Sequence, residues 1–135
     1  MNQTDDRAII ETARAALGRS VAASREAYAI EPDDERAMRH LVDELQAGAR
    51  ATTLANLDPA QPLSRLGSEA IEAGRDALRQ EAAGWRHLAA AAVDERWRAE
   101  FAARAHETQW QAYDVEALHQ RLADRHRSAD QEAER

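Results

Sequence analysis

The stretch SRLGSEAIEAGRDALRQEAAGWRHLAAAAVDERWRAEFAARA, residues 64–105, decides the fold. It holds no proline, its last glycine is Gly84, and its apolar residues recur at helical intervals: Leu66, Ala70/Ile71, Gly74, Leu78, Trp85, Ala89 and Ala92. Such intervals put side chains on one side of a 3.6-residue helix, and no segment shows the period-two alternation of a strand. Then the stripe drifts. Val93, Trp97, Phe101 and Ala105 run at a spacing of four, which walks about 40° round a helix at each step. Trp110 and Tyr113 lie on yet another side. One straight helix on one neighbour does not do this, so the reading is a long helix to about residue 106, a break at 106–109, and a last helix over 114–126. Asp114 is its expected cap, and Leu118 and Leu122 are expected to face inward.

Upstream, Asp58-Pro59-Ala60-Gln61-Pro62 interrupts the chain, because two prolines three apart cannot both sit inside a helix. Before it a helical hairpin is predicted over residues 5–57. Its first helix begins after Thr4, where Asp5 and Asp6 complement the helix dipole, carries Ile10, Ala13, Leu17, Val21, Ser24 and Tyr28 at near-heptad spacing, and ends near Ile30. Glu31-Pro32-Asp33-Asp34-Glu35 restarts the helix with Pro32 at the first helical position. The second helix then shows Met38, Leu41, Val42, Leu45, Ala49 and Thr52 and runs to about Leu57. The expected fold is all-α: an antiparallel bundle of three to five helices with one long helix. One domain spans residues 1–127, and residues 128–135, which hold no large apolar side chain, form a frayed polar tail.

Composition narrows both packing and function. Of 135 residues 32 are Ala, and only 27 are larger apolar residues able to fill a core. Alanine seams at 89–92 and at Ala99, Ala102 and Ala103 are expected to let helices approach closely. So thin a core also favours burial against a second subunit, so a homodimer is expected. No cysteine means no disulfide framework and no thiolate metal site. The opening Met1-Asn2-Gln3-Thr4-Asp5-Asp6 lacks the pattern of a secretory signal, and the longest apolar run, Leu88–Val93, falls far short of the roughly 20 residues that cross a bilayer. A cytoplasmic chain off the membrane is expected. Net charge is −7 without a basic arm, which argues against nucleic acid as a partner. All 18 basic residues are Arg, a bias that matches GC-rich coding and carries no mechanism.

Three functional readings follow. The first rests on the aromatic residues: Trp85, Trp97, Phe101, Trp110 and Tyr113 all lie between residues 85 and 113. Aromatics are enriched in cores and interfaces alike, and the drifting stripe offers more apolar surface than one neighbour covers. A non-catalytic regulatory protein is therefore expected to bind a protein partner through Trp97, Phe101, Trp110 and Tyr113, with Arg104 and His106 at the rim. The second rests on Glu116 and His119, three apart on one helix side as in carboxylate-bridged metal bundles; His40 and Glu44, one turn apart, would add ligands for iron or manganese. Such sites need two Glu-x-x-His pairs and two further Glu, and this chain has one pair. The third is a small-molecule sensor with its pocket among the tryptophans.

Other features are weaker. The acids of residues 31–35 suit a helix start and lack the loop of a calcium site. Arg121, Arg125 and Arg127 with His119 and His126 form the most basic patch, without surrounding positive potential. Residues 21–41 make a poor helix-turn-helix, since acids would face the DNA. Neither a nucleophile elbow nor a phosphate-binding glycine loop occurs.

Overall fold

The second, third and fourth helices of this chain start where a short polar side chain satisfies free backbone donors. The computed structural model describes residues 3–134, which form α1 (Gln3–Ile30), α2 (Asp34–Ala55), α3 (Arg65–Ala91) and α4 (Glu95–Ala133). Asp33 caps α2 by accepting from the Arg36 amide at 2.9 Å, Ser64 caps α3 through the Gly67 amide at 3.0 Å, and Asp94 caps α4 through the Arg96 amide at 2.8 Å. Each bond removes one of the four orphan N–H groups at a helix start. Asp58, Pro59 and Pro62 lie in the long connection between α2 and α3.

The helices form two antiparallel hairpins, α1–α2 and α3–α4. They join along α1 and α3, with further contact between α2 and α3 and between α1 and α4; among the described residues no Cα of α2 comes within 8 Å of one of α4. The core holds Ile10, Leu17, Leu54, Ile71, Leu78, Val115, Leu118 and Leu122, with alanines filling between them. Close approach comes from Gly74 of α3. A Cβ there would lie 2.6 Å from the Ala13 Cβ and 3.2 Å from its Cα and carbonyl oxygen. At the same end Asp6 is fully buried and accepts from Arg121 at 3.0 Å and Arg125 at 3.4 Å, tying the start of α1 to the last third of α4.

All the buried residues fall within 6–17, 47–59, 67–82 and 105–122; none of 18–46 or 83–104 is buried. The four-helix core therefore occupies one end of the molecule. Beyond it the two hairpins continue as two-helix arms, the first ending at the α1–α2 turn and the second at the α3–α4 turn. Arg19 and Glu81, 2.9 Å apart, pair at the base of the arms. Further out the first arm is braced by Arg25–Glu44 at 2.6 Å.

The all-α antiparallel bundle agrees with expectation; several boundaries do not. The chain breaks at residues 92–94, where Ala92 turns extended and Asp94 caps a new helix, and not at 106–109. Asp114 lies in mid-helix, capping nothing, and the last helix is the longest, not the shorter one. Its inward seam is Ala105, Thr108, Ala112, Val115, Leu118 and Leu122. Leu118 and Leu122 face inward as expected, small residues carry the half of the seam nearer the turn, and Trp110 and Tyr113 lie outside it. α4 also continues through Ser128 to Ala133, where a frayed tail was expected. Pro32 precedes the Asp33 cap instead of opening the helix, and α2 stops at Ala55, short of Leu57. α1 already includes Gln3 and Thr4. Of the expected alanine seams, Ala89 and Ala92 are partly buried, whereas Ala90, Ala91, Ala99, Ala102 and Ala103 are exposed. Leu66, expected within the stripe of α3, is exposed as well.

Candidate interaction surfaces

The six residues expected to form one contact region are divided by helix geometry. At about 100° per residue, Trp97, Phe101 and Arg104 share one side of α4, whereas His106, Trp110 and Tyr113 lie on roughly the opposite side. They make two surfaces.

The first sits on the arm formed by the end of α3 and the start of α4. Phe101 stacks between Trp85 and Trp97, its ring centroid 5.8 Å from each. The Arg104 guanidinium lies 5.1 Å from the centre of the Trp85 ring, within reach of its negative face. The α3–α4 antiparallel contact brings Trp85 opposite Phe101, and the four-residue step along α4 brings Trp97 over it. The stack is half covered: Trp97 remains 55% exposed, and Val93 in the turn is 96% exposed. Ala92, Val93, Asp94, Trp97 and Phe101 line an open recess at this tip. Trp85, half-buried beneath the stack, and Val93 belong to this surface, yet neither was among the expected contact residues. The signal for Val93 is in the sequence, since Asp94 directly after it is a capping residue and so places it in a turn.

The second surface is a ladder on the outer side of α4. The Trp110 indole N–H donates to His106 Nε2 at 2.9 Å, and Trp110 meets Tyr113 edge-on with centroids 5.8 Å apart. This bond requires Nε2 of His106 to be unprotonated. Trp110 and Tyr113 are both exposed.

Between the arms, at the base, α1 and α3 leave a groove of about 450 Å³. Ala16, Ala23, Ala77, Trp85 and Leu88 form its apolar lining, and Ser20, Gln80 and the Arg19–Glu81 pair supply its polar groups. Its size falls in the range of small-molecule pockets.

The four residues of the metal reading are not brought together. Glu116 accepts from Arg75 at 2.5 Å, and that bond holds its carboxyl below the usual range, with the charges of Arg75, His119 and Arg79 adding to the effect against a desolvation that opposes it. His119 Nε2 lies 2.7 Å from the Ser68 hydroxyl and 4.0 Å from Glu72. On α2, His40 faces Glu31 at 3.6 Å, and Glu44 pairs with Arg25. With the α2 and α4 backbones this far apart, the two pairs occupy separate parts of the molecule. No group of three or more potential ligands converges among the described residues. The arrangement at Glu116 and His119 links α4 to α3.

No helix among the described residues is long and apolar enough to cross a membrane. No protein-family model, curated protein or solved structure matches the chain.

Proposed function

We propose that this chain is a non-catalytic helical interaction protein, regulatory in role and acting in the cytoplasm, which docks a protein partner on the tip of its α3–α4 arm. Trp97 and Phe101 are the anchors, Val93 extends the apolar contact, and Arg104 holds Trp85 beneath the stack. The observation that carries this reading is the exposure of Val93 and Trp97 on an arm with no buried residue between positions 83 and 104. A side chain the size of tryptophan adds little to the fold when half of it remains wet, yet a preformed aromatic stack is the kind of anchor that dominates interfaces. The His106–Trp110–Tyr113 ladder is a second contact on the same helix, facing another way.

The test separates contact from core. Val93→Asp is expected to leave thermal stability within the small range of surface substitutions, about 0.5 kcal/mol, and Trp97→Ala to cost no more than about 0.5–1.5 kcal/mol for the lost ring pair. A photo-crosslinking amino acid at position 97, used in the native cells, is expected to give a discrete adduct with a second polypeptide that Val93→Asp abolishes. A loss of stability of the size seen for core truncation, or an adduct indifferent to Val93→Asp, would overturn the proposal.

A second reading has its own observation. The α1–α3 groove combines an apolar wall bordered by Trp85 with Ser20, Gln80 and one ion pair, which suits a sensor for a small, largely apolar molecule bearing a polar group. Such a ligand is expected to change tryptophan emission, and Trp85→Phe would remove the response. Iron or manganese at Glu116, His119, His40 and Glu44 gains no support from the separate placement of these residues.

A further inference from the structure

We infer that the protein pairs with a second copy of itself through the outer face of α2. Along α2 the stripe Met38, Val42, Leu45, Ala49 and Thr52 steps by four, three, four and three, which makes a heptad seam. It lies roughly 160–200° round the helix from Ala47 and Leu54, the residues α2 buries against the rest of the chain. Leu41, Glu44, Gly48 and Ala51, partly buried toward the rest of the chain, fill the sector between, so the apolar surface of α2 extends past the part its own chain covers. Met38, Val42 and Leu45 are 58%, 43% and 64% exposed. A helix packed once needs a single apolar stripe. Three large aliphatic side chains in register beyond the covered sector are what a helix packed twice carries.

Surface area says how much a second copy would cover. The chain exposes 9062 Å², whereas a compact folded chain of 15.0 kDa exposes about 7,000 Å². The surplus is about 2,000 Å². A standard interface removes about 800 Å² from each partner, and permanent homodimers remove more. One protomer can therefore give up a full homodimer interface and still expose a normal surface for its mass.

Charge permits the pairing as well. The whole chain is at −7, but α2 holds four acids (Asp34, Glu35, Asp43 and Glu44) against three arginines (Arg36, Arg39 and Arg50). Arg39 is already neutralised by Glu35 at 3.1 Å, and Glu44 by Arg25. The seam itself is uncharged over Met38–Thr52, so two copies bring apolar faces together with little like-charge repulsion. A two-fold axis makes the same seam serve both partners. This inference concerns α2 and stands apart from the α3–α4 tip, so one can fail without the other.

Molar mass measured by light scattering or sedimentation over a concentration series tests it. The wild-type chain is expected to reach twice its 15.0 kDa mass. Leu45→Glu is expected to raise the dissociation constant at least ~30-fold, the effect of losing a central interface residue. Leu45→Met should retain the dimer, and Val93→Asp should leave it untouched. A second measurement does not depend on disrupting the seam. The chain has no cysteine, so Leu45→Cys provides a single thiol, and oxidation should link two copies; Glu100→Cys, exposed on α4, should not. A wild-type monomer at every concentration, or a dimer that Leu45→Glu does not weaken and Leu45→Cys does not crosslink, would refute the inference.

Discussion

Gly74 and Gly84 lie ten residues apart on the same helix, and replacing each by alanine makes the same chemical change against different neighbours. At Gly84 a new Cβ meets nothing within 4 Å. Gly84→Ala should therefore show only the backbone term, a gain of about 0.5–1 kcal/mol in a helix interior. At Gly74 the same methyl would sit 2.6 Å from the Ala13 Cβ and 3.2 Å from its Cα and carbonyl oxygen. Ordinary carbon contacts are 3.5–4.0 Å, so α1 and α3 must separate by about 1 Å, and backbone atoms cannot step aside as a side-chain tip could. Overpacking of this sort costs about 1–3 kcal/mol. Gly74→Ala should thus fall about 1–3 kcal/mol below Gly84→Ala and range from neutral to about 2.5 kcal/mol destabilising against wild type. Urea unfolding followed by circular dichroism measures both, at one fixed protein concentration because pairing links stability to concentration. In the Gly74→Ala background, Ala13→Gly removes the 2.6 Å contact and leaves those at 3.2 Å, so a partial, non-additive recovery is expected. If Gly74→Ala stabilised the chain as much as Gly84→Ala does, the crossing of α1 on α3 described above would be wrong.

Two further outcomes test the corrected helix boundaries and the α3–α4 contact. Asp94→Ala should lose about 0.5–2 kcal/mol as a lost N-cap, while Asp114→Ala, exposed in mid-helix, should be neutral or gain a few tenths; thermal melts that reversed this order would restore the break at residues 106–109. Glu116 has its carboxyl held below the usual range by Arg75, so its contribution is present above the unfolded value near pH 4.3 and is lost as pH falls through the lower folded value. Because Glu116 is partly exposed, Glu116→Gln should remove only about 0.2–1 kcal/mol at neutral pH. The variant and wild-type stability curves should converge in acid, and a constant gap down to the lowest pH would argue against the ion pair.

Much of the fold is legible in the order of residues because helix signals are local. The prolines at 59 and 62, the near-heptad stripe of α1 and the absence of any alternating segment are properties of neighbouring residues, and they yield an all-α antiparallel bundle without further information. The end of α1 at Ile30 and the inward placement of Leu118 and Leu122 follow in the same way. Val93-Asp94 was legible too, as a turn followed by a cap, but the apolar spacing across it masked the signal. The aromatic content of residues 85–113 can be counted from the sequence; its division into two opposite surfaces depends on α4 being one unbroken helix.

What the sequence determined by itself was periodicity: which residues share a side of which helix, and where acids, serine and proline start or stop each one. Tertiary structure decided which of those sides is covered. In an alanine-rich chain, volume is a poor guide to burial, since Gly74, Ala13, Ala105 and Ala112 pack the helices closely while Trp97, Trp110, Met38 and Leu45 stay at the surface. Burial depends on where the hairpins cross, and that is set by contacts between residues far apart in the chain, such as Ala13 with Gly74 and Asp6 with Arg121. The crossing lies towards one end, and for that physical reason the other end projects as two arms whose apolar faces no helix of the same chain covers.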